Sequence, residues 1–412
     1  MQSKKLSIGL TTVLAIVATI TLLASMPVAA QTETVLVGFS GTNGQFPMGG
    51  LIFDATGNLY GTTRQGGANG YGIAFELTPK TGGGWTEKVL HSLGHGKDGQ
   101  TPQCTLIFDA AGNLYGTAWG GGAHGYGIVF ELSPTADGPW TETVLHNFGA
   151  SGADGTNPYA GLIFDSSGNL YGTTTAGGAH GEGIAFELMP KTGGGWTEKL
   201  LHSFTANGRD GFPPYGGLTL DAAGNLYGTT QAGGSHDYGT VFELSPTAEG
   251  GWSESILHDF NKNGTDGIDV FSSLVFDAAG NIYGTTGAGG SFGYGTVFEL
   301  TPAGGGTWTE QILLSFDLTD GSIAWSGLIF DAAGNLYGTT VAGGPTNNGT
   351  VFKLTPTTGG GWTQQVLYAF DAQEGINGPY AGLIFDAAGN LYGTEEDGGP
   401  HGAYGTVFEI KP

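Results

Sequence analysis

Cysteine occurs once in the 412 residues, at Cys104, so no intramolecular disulfide can hold the fold and stability must come from packing. Basic residues are scarce as well: 12 lysines and arginines stand against 36 aspartates and glutamates, a formal net charge of −24. Such a surface repels phosphate backbones and anionic headgroups, which excludes nucleic acid and anionic membranes as natural partners. Beyond about Met26 there is no apolar run long enough for a stable membrane span. No histidine or nucleophile is set apart from the repeat pattern described below, and no stretch spells out a reaction. What abounds is glycine, 81 residues, recurring in fixed register with apolar and aromatic residues. That combination marks turn-dense β structure rather than disorder.

The first 30 residues stand apart. Lys4 and Lys5 precede an uncharged run from Leu6 to about Met26, and Val28-Ala29-Ala30 offers small residues for cleavage before Gln31, the pattern of a Sec-type signal peptide. Roughly 20 apolar residues could also cross a bilayer as a retained anchor. The Ala-Ala junction and the strand-like sequence from Thr32 onward favour cleavage, and no cysteine follows the apolar run to carry a lipid. The expected location is secreted or periplasmic, for a mature chain over residues 31–412.

Residues 50–63 read Gly-Leu-Ile-Phe-Asp-Ala-Thr-Gly-Asn-Leu-Tyr-Gly-Thr-Thr, and six more versions begin at Thr105, Gly161, Gly217, Ser273, Gly327 and Gly382. Their aspartates, from Asp54 to Asp386, lie 54 to 56 residues apart. That period is too long for most helical solenoids and suits a unit of four short strands. In the third copy, residues 161–165 read as strand a, 165–169 as a tight turn, 169–174 as strand b, 176–183 as a glycine loop, 184–188 as strand c and 196–204 as strand d. Aspartate and glycine recur at the turn in all seven copies, a regularity that suits a turn better than a metal or catalytic group.

Strand d begins at Trp85, Trp140, Trp196, Trp252, Trp308 and Trp362 after copies one to six, whereas the seventh copy stops after strand c. The missing strand is at the other end, where Thr32-Glu-Thr-Val-Leu-Val-Gly-Phe39 parallels Thr141-Glu-Thr-Val-Leu-His-Asn-Phe148. The expected fold is therefore all-β: a seven-bladed β-propeller of four-stranded antiparallel blades, closed by the N-terminal strand completing the last blade. A single domain over residues 31–412, monomeric, accounts for the sequence.

The Gly-Asn-Leu-Tyr-Gly-Thr-Thr core, the Gly-Gly loop and the following Gly-Thr-Val-Phe-Glu-Leu-Thr-Pro resemble the Gloeo/Verruco (GloVer) tandem repeat of secreted bacterial proteins, over nearly the whole chain after residue 30. The resemblance implies export, a propeller-like array and, in many members, a C-terminal surface anchor. The present sequence departs there, reaching Pro412 without a hydrophobic or basic tail. No activity comes with the resemblance.

In a propeller the d–a and b–c loops share one face, and here that face collects the residues that differ between copies. Two positions before each strand a stand Met48, Gln103, Tyr159, Tyr215, Phe271, Trp325 and Tyr380. Five aromatics around a channel mouth suit stacking on sugar rings or flat apolar groups; packing between blades is the alternative. After Gly-Thr-Thr, or its equivalent, come Arg64, Trp119, Thr175, Gln231, Gly287, Val341 and Glu396. Because blades seven, one and two are neighbours, Glu395, Glu396, Asp397, Arg64 and Trp119 are candidates for one asymmetric patch.

An acidic ring, Asp98, Asp154, Asp210, Asp266, Asp320 and Glu374, with Asn43 in the seventh place, is expected beside the aromatic one. Oxygen-rich loops can hold Ca²⁺, although Asp-Gly turns explain most of these residues without a metal. His124, His180, His236 and His401, and the strand-d histidines, recur once per blade, a spacing that should make them diverge around the ring and so speaks against zinc. The leading expectation is a secreted, non-catalytic propeller without a cofactor that binds a ligand or partner, carbohydrate or another extracellular protein, on its loop face. The alternatives are a propeller enzyme (lactonase, lyase or glycosidase) using the carboxylates near Glu396, and a structural envelope or matrix protein; fold alone does not choose among them.

Overall fold

Copies one to six each form four antiparallel strands hydrogen-bonded in chain order. In the third copy these are Ile163–Phe164, Leu170–Thr174, Ile184–Pro190 and Trp196–Ser203. The computed structural model describes residues 31–411 apart from 137, 139 and 372–377, so the signal-peptide segment and Glu374 lie outside the described residues. Strand a is shorter than its apolar run because the inner ends crowd together: a Cβ on Gly161 would stand 2.7 Å from the carbonyl oxygen of Thr105 in the neighbouring blade. Strand b is buried along its whole length in the third copy and in the other six. Strand d, at the rim, carries exposed and half-buried residues in turn.

Seven such blades make the propeller. The last consists of Ile384–Phe385, Leu391–Glu395 and Thr406–Lys411, completed by Thr32–Gly38 from the start of the chain, as the strand count requires. Cores lie between blades rather than within them. Tyr115, Val129 and Phe148 of the second blade pack with Leu162, Leu170 and Phe186 of the third. At the closure Tyr392 and Val407 of the last blade pack with Leu51, Leu59, Ile73 and Phe75 of the first.

The two threonines of Gly-Thr-Thr divide the polar work. The first crosses to the next blade: Thr62 Oγ1 donates to the Cys104 carbonyl at 3.0 Å, Thr229 to Ser272 at 2.8 Å, and Thr394 to Gly49 at 3.1 Å, which ties the seventh blade to the first. The second turns back on its own glycine loop, as when Thr174 Oγ1 donates to the Ala176 carbonyl at 2.9 Å. Most of these buried hydroxyls have partners, as burial demands, Thr173 being an exception. The strand-c glutamates are structural in the same way: Glu187 accepts from the Tyr171 hydroxyl at 3.1 Å and lies 3.9 Å from Lys199 Nζ.

The repeated aspartate is a turn residue. Asp165 Oδ1 accepts the N–H groups of Ser167 and Asn169 at 2.8 and 2.9 Å, its Oδ2 accepts from the Asn169 amide at 2.9 Å and the Tyr171 hydroxyl at 3.2 Å, and Gly168 takes φ 83°. Partial burial works to raise this carboxyl, but the hydrogen bonds together outweigh it and hold it below its usual range. A lowered folded-state value means that the charged form stabilises the fold above the ordinary carboxyl range, and that this contribution is lost as pH falls through the lowered value. Asp165→Asn is therefore expected to lower the urea midpoint at pH 6, with the gap to the parent narrowing below about pH 4. A gap constant from pH 6 to pH 3 would contradict this role.

Candidate functional site

The site begins with how each strand d hands over to the next strand a. Gly155–Thr156 pairs with Ala176–Gly177 of the glycine loop, and Asn157 then takes a left-handed φ of 61°. Phe46, Thr101, Asp269 and Ile323 are left-handed at the same place, with φ between 55° and 62°. Such conformations cost non-glycine residues about 1–3 kcal/mol each and persist only where the surroundings impose them. Here the Asn157 N–H donates to the Tyr126 carbonyl at 2.7 Å, and its own carbonyl accepts from Thr175 N–H at 3.1 Å. The residue two places on, Tyr159, thereby reaches the mouth of the channel.

Tyr159, Tyr215, Phe271, Trp325 and Tyr380 line that mouth, half-buried, and contact one another in succession, with ring centroids 5.2, 4.8, 4.9 and 5.5 Å apart. They form an arc over blades three to seven. Met48 and Gln103 occupy the remaining two places. The recess inside is about 120 Å³, slightly below the 150 Å³ of a cavity known to take benzene, so it admits one small ring or polar head group rather than a chain of them.

The loop residues converge on the gap in this arc. Arg64 Nη1 stands 3.9 Å from Glu396 Oε1 and 3.9 Å from Met48 Sδ. The Tyr380 hydroxyl faces the Glu396 carboxylate, and the charges of Arg64 and Glu396 both act on Tyr159. Burial first, then the charge of Asp397, raises the Glu396 carboxyl, against the pull of Arg64 and the Tyr380 hydroxyl. Burial leads again in pushing Tyr159 and Tyr380 up to about 12, so both phenols remain protonated donors at neutral pH.

The aromatic set and the asymmetric patch are thus one place, with two adjustments. Glu395 is fully buried, accepting from Thr406 Oγ1 at 3.3 Å, and does not face the mouth; Asp397 is 8% exposed. Trp119 is 43% exposed and stands outside the stacked arc, its carbonyl accepting from the Asn157 amide at 3.1 Å. The link between the two sets shows at Gly287, where a Cβ would come within 2.3 Å of Trp325 Nε1. The residue after Gly-Thr-Thr in one copy therefore touches the ring residue of the next. Comparing copies position by position hides such a contact.

The acidic ring is not beside the mouth. Asp98, Asp154, Asp210 and Asp266 are buried between blades, each against a strand-d histidine of its own copy and a strand-d glutamate of the next. His202 Nε2 lies 3.0 Å from Asp210 Oδ2 and 3.7 Å from Glu254 Oε1; His258 Nε2 lies 3.4 Å from Asp266 Oδ2 and 3.5 Å from Glu310 Oε1. The corresponding sets are His91, Asp98 and Glu142, and His146, Asp154 and Glu198. Burial first, reinforced by Asp98, pushes Glu142 up to about 9. Residues repeated once per blade do converge when they come from successive copies. Asp320 instead caps its own loop, accepting from the Asp317 N–H at 2.9 Å.

The profile of the Gloeobacter/Verrucomicrobia repeat matches residues 20–221 and 194–408. No curated protein sequence matches the chain. Among solved structures, an ancestral GH74 enzyme is similar at a TM-score of 0.60 and 12% identity, over 92% of this chain and 51% of its own, so the present chain spans about half of that enzyme. A candidate 6-phosphogluconolactonase from Bacteroides uniformis is similar at a TM-score of 0.52 and 14% identity, over 82% of this chain and 88% of its own. At these identities the likeness is one of fold alone.

Proposed function

The chain belongs to the Gloeobacter/Verrucomicrobia repeat family, and from the mouth built on that frame we propose that it is an exported binding propeller that takes a hydroxylated ring, such as a carbohydrate unit, over its channel. The observation that carries this reading is the convergence of two unrepeated residues, Arg64 and Glu396, on the gap between Tyr159 and Tyr380. A sugar offers an apolar ring face and a rim of hydroxyls. The aromatic arc answers the first by stacking, while the guanidinium, carboxylate and phenols answer the second with donors and acceptors. The reading needs no cofactor. Export follows from the basic, apolar and small-residue pattern before Gln31, and the mature protein is expected to begin there; mass-spectrometric detection of an intact Met1 terminus outside the cytoplasm would refute it.

Calorimetric titration against a panel of neutral oligosaccharides tests the binding. Tyr380→Ala is expected to weaken the affinity roughly two- to tenfold, the equivalent of about 0.5–1.5 kcal/mol of stacking, and Arg64→Ala to weaken it while the melting temperature stays put. A larger loss for Trp119→Ala than for Tyr380→Ala would move the site from the arc to the outer loops. Product formation during the titration would turn the reading towards the enzyme alternative. If no member of the panel binds, or if both variants bind like the parent, the proposal fails.

A further inference from the structure

Between the outer strands of neighbouring blades, well away from the aromatic residues that line the channel, stand the four His–Asp–Glu clusters. We propose that each is a site for one divalent transition-metal ion of the zinc class, held by the histidine Nε2 and one oxygen from each carboxylate, with water in the fourth position.

The separations fit. A tetrahedral ion with ligands at about 2.0–2.1 Å places them about 3.3 Å from one another. The histidine-to-carboxylate distances run from 2.9 Å at His91 and Asp98 to 3.7 Å at His202 and Glu254, and in the first set the Glu142 oxygen lies within 4.8 Å of the other two ligand atoms. Imidazole with two carboxylates is a donor set such ions accept, and its two negative charges neutralise the ion. The geometry is also held in advance. Asp210 Oδ2 accepts the Thr205 N–H at 2.9 Å, Asp266 Oδ2 accepts the Asn261 N–H at 2.9 Å, and the His202 and His258 rings sit edge-on to Phe204 and Phe260 at 4.7 and 4.5 Å. Supports of this kind orient metal ligands.

A second observation points to a missing ligand rather than to a finished network. With both carboxyls ionised, as a bound cation requires, Asp98 and Asp210, 7% and 4% exposed, each keep a buried oxygen without a hydrogen-bond donor, and so do the four glutamates; the orphan Oε1 of Glu254 and of Glu310 is the oxygen nearest the histidine. Buried carboxylate oxygens normally have partners. The four histidine side chains and those of Glu198, Glu254 and Glu310 remain 16–22% exposed, which leaves a route for the ion and room for its water.

The remaining three interfaces break the set, two of them in more than one member. Leu314 stands where His202 does, opposite a strand-c valine, and Gln364 replaces the glutamate across from it. At the closure Val37 and Asn43 replace the histidine and the aspartate, and the Asn43 amide donates to Glu87 at 2.6 Å. Tyr368 fills the third histidine place and donates to Glu33 at 3.3 Å. At these two interfaces a neutral donor takes over the glutamate that the histidine would have faced. Residues kept for a turn alone would have no reason to change together.

The test uses the purified protein freed of metal by a chelator and then titrated with Zn²⁺. Four tightly held equivalents per chain are expected by elemental analysis, with a rise in melting temperature that the chelator reverses. His202→Leu and Glu254→Gln copy side chains the protein already carries at its fifth interface, so the fold accepts them; each is expected to lower the count from four to three. The exposed His124 and His236 provide the control, since His236→Ala should leave it at four. A parent protein that retains no Zn²⁺ after gel filtration, or a count unchanged in both His202→Leu and Glu254→Gln, overturns the proposal and leaves the clusters as proton-sharing carboxyl pairs.

Discussion

Removing residues 31–40 is expected to produce aggregates, or to lower the melting temperature by at least about 5 °C. The segment does more than fill an edge. Thr32–Gly38 pairs antiparallel with Thr406–Lys411 from Thr32 opposite Lys411 to Gly38 opposite Thr406. Phe39 is fully buried; its N–H donates to the Gly405 carbonyl at 3.0 Å, and its ring meets Phe75 of the first blade edge-on at 5.3 Å. Leu36 and Val37 join the same core, and Glu33 accepts from Tyr368 of the sixth blade. The ten residues therefore touch blades six, seven and one. Loss of one buried phenylalanine costs about 3–5 kcal/mol, to be set against a typical total stability of about 5–15 kcal/mol, and the deletion also bares the edge of strand c. The inner clasp, Thr394 to Gly49 and the Phe53–Tyr392 contact at 5.2 Å, remains but holds only the channel side. Size-exclusion chromatography and thermal melting of the truncated protein check this, and a synthetic peptide of residues 32–40 should restore the melt. A truncated protein that elutes and melts like the parent would mean the ring does not depend on this strand.

That strand was legible in the sequence because it repeats a pattern seen six more times: Thr32-Glu-Thr-Val-Leu announces a strand d wherever it is placed. The aspartate turn was legible for a similar reason, since Asp165 and Gly168 act within five residues of each other. Contacts between copies were not. The Thr62 hydroxyl reaches Cys104, 42 residues on, and His202 meets Glu254 of the following copy. Both depend on the rotation from one blade to the next, which no single repeat encodes. The same rotation carries the aspartates of the acidic ring away from the channel and into the blade interfaces. At the mouth, spacing alone gave the ring of aromatics, but the meeting of Arg64 with Glu396 required the closure of blade seven on blade one. The burial of Glu395 escaped because its place is that of Thr174 and Thr340, the last residue of a strand buried in every copy.

The second large effect concerns a glycine chosen for space rather than for backbone freedom. Gly172 lies opposite Phe186 in the pairing of strands b and c, and a Cβ there would stand 2.7 Å from Phe186 Cζ and 2.9 Å from Leu162 Cδ2. The same approach recurs at Gly116 with Phe130, 2.8 Å, and at Gly228 with Phe242, 2.5 Å. Phe186 cannot retreat, being fully buried and edge-on to Phe148 of the preceding blade at 5.2 Å. Alanine is the better strand residue on backbone entropy, so propensity alone predicts that Gly172→Ala stabilises. Packing predicts the reverse, a loss of about 1–3 kcal/mol by overfilling, while Phe186→Ala, which empties the same contact, should lose about 3–5 kcal/mol. Chemical denaturation of both variants, of Phe186→Leu and of the double variant Gly172→Ala/Phe186→Leu decides between them. In the double variant the shorter side chain makes room for the new methyl, so its destabilisation should fall short of the summed single effects by about 1 kcal/mol or more. Strict additivity, or a stabilised Gly172→Ala, would mean that the repeated Leu-Tyr-Gly-Thr-Thr keeps its glycine for some reason other than the phenylalanine beneath it.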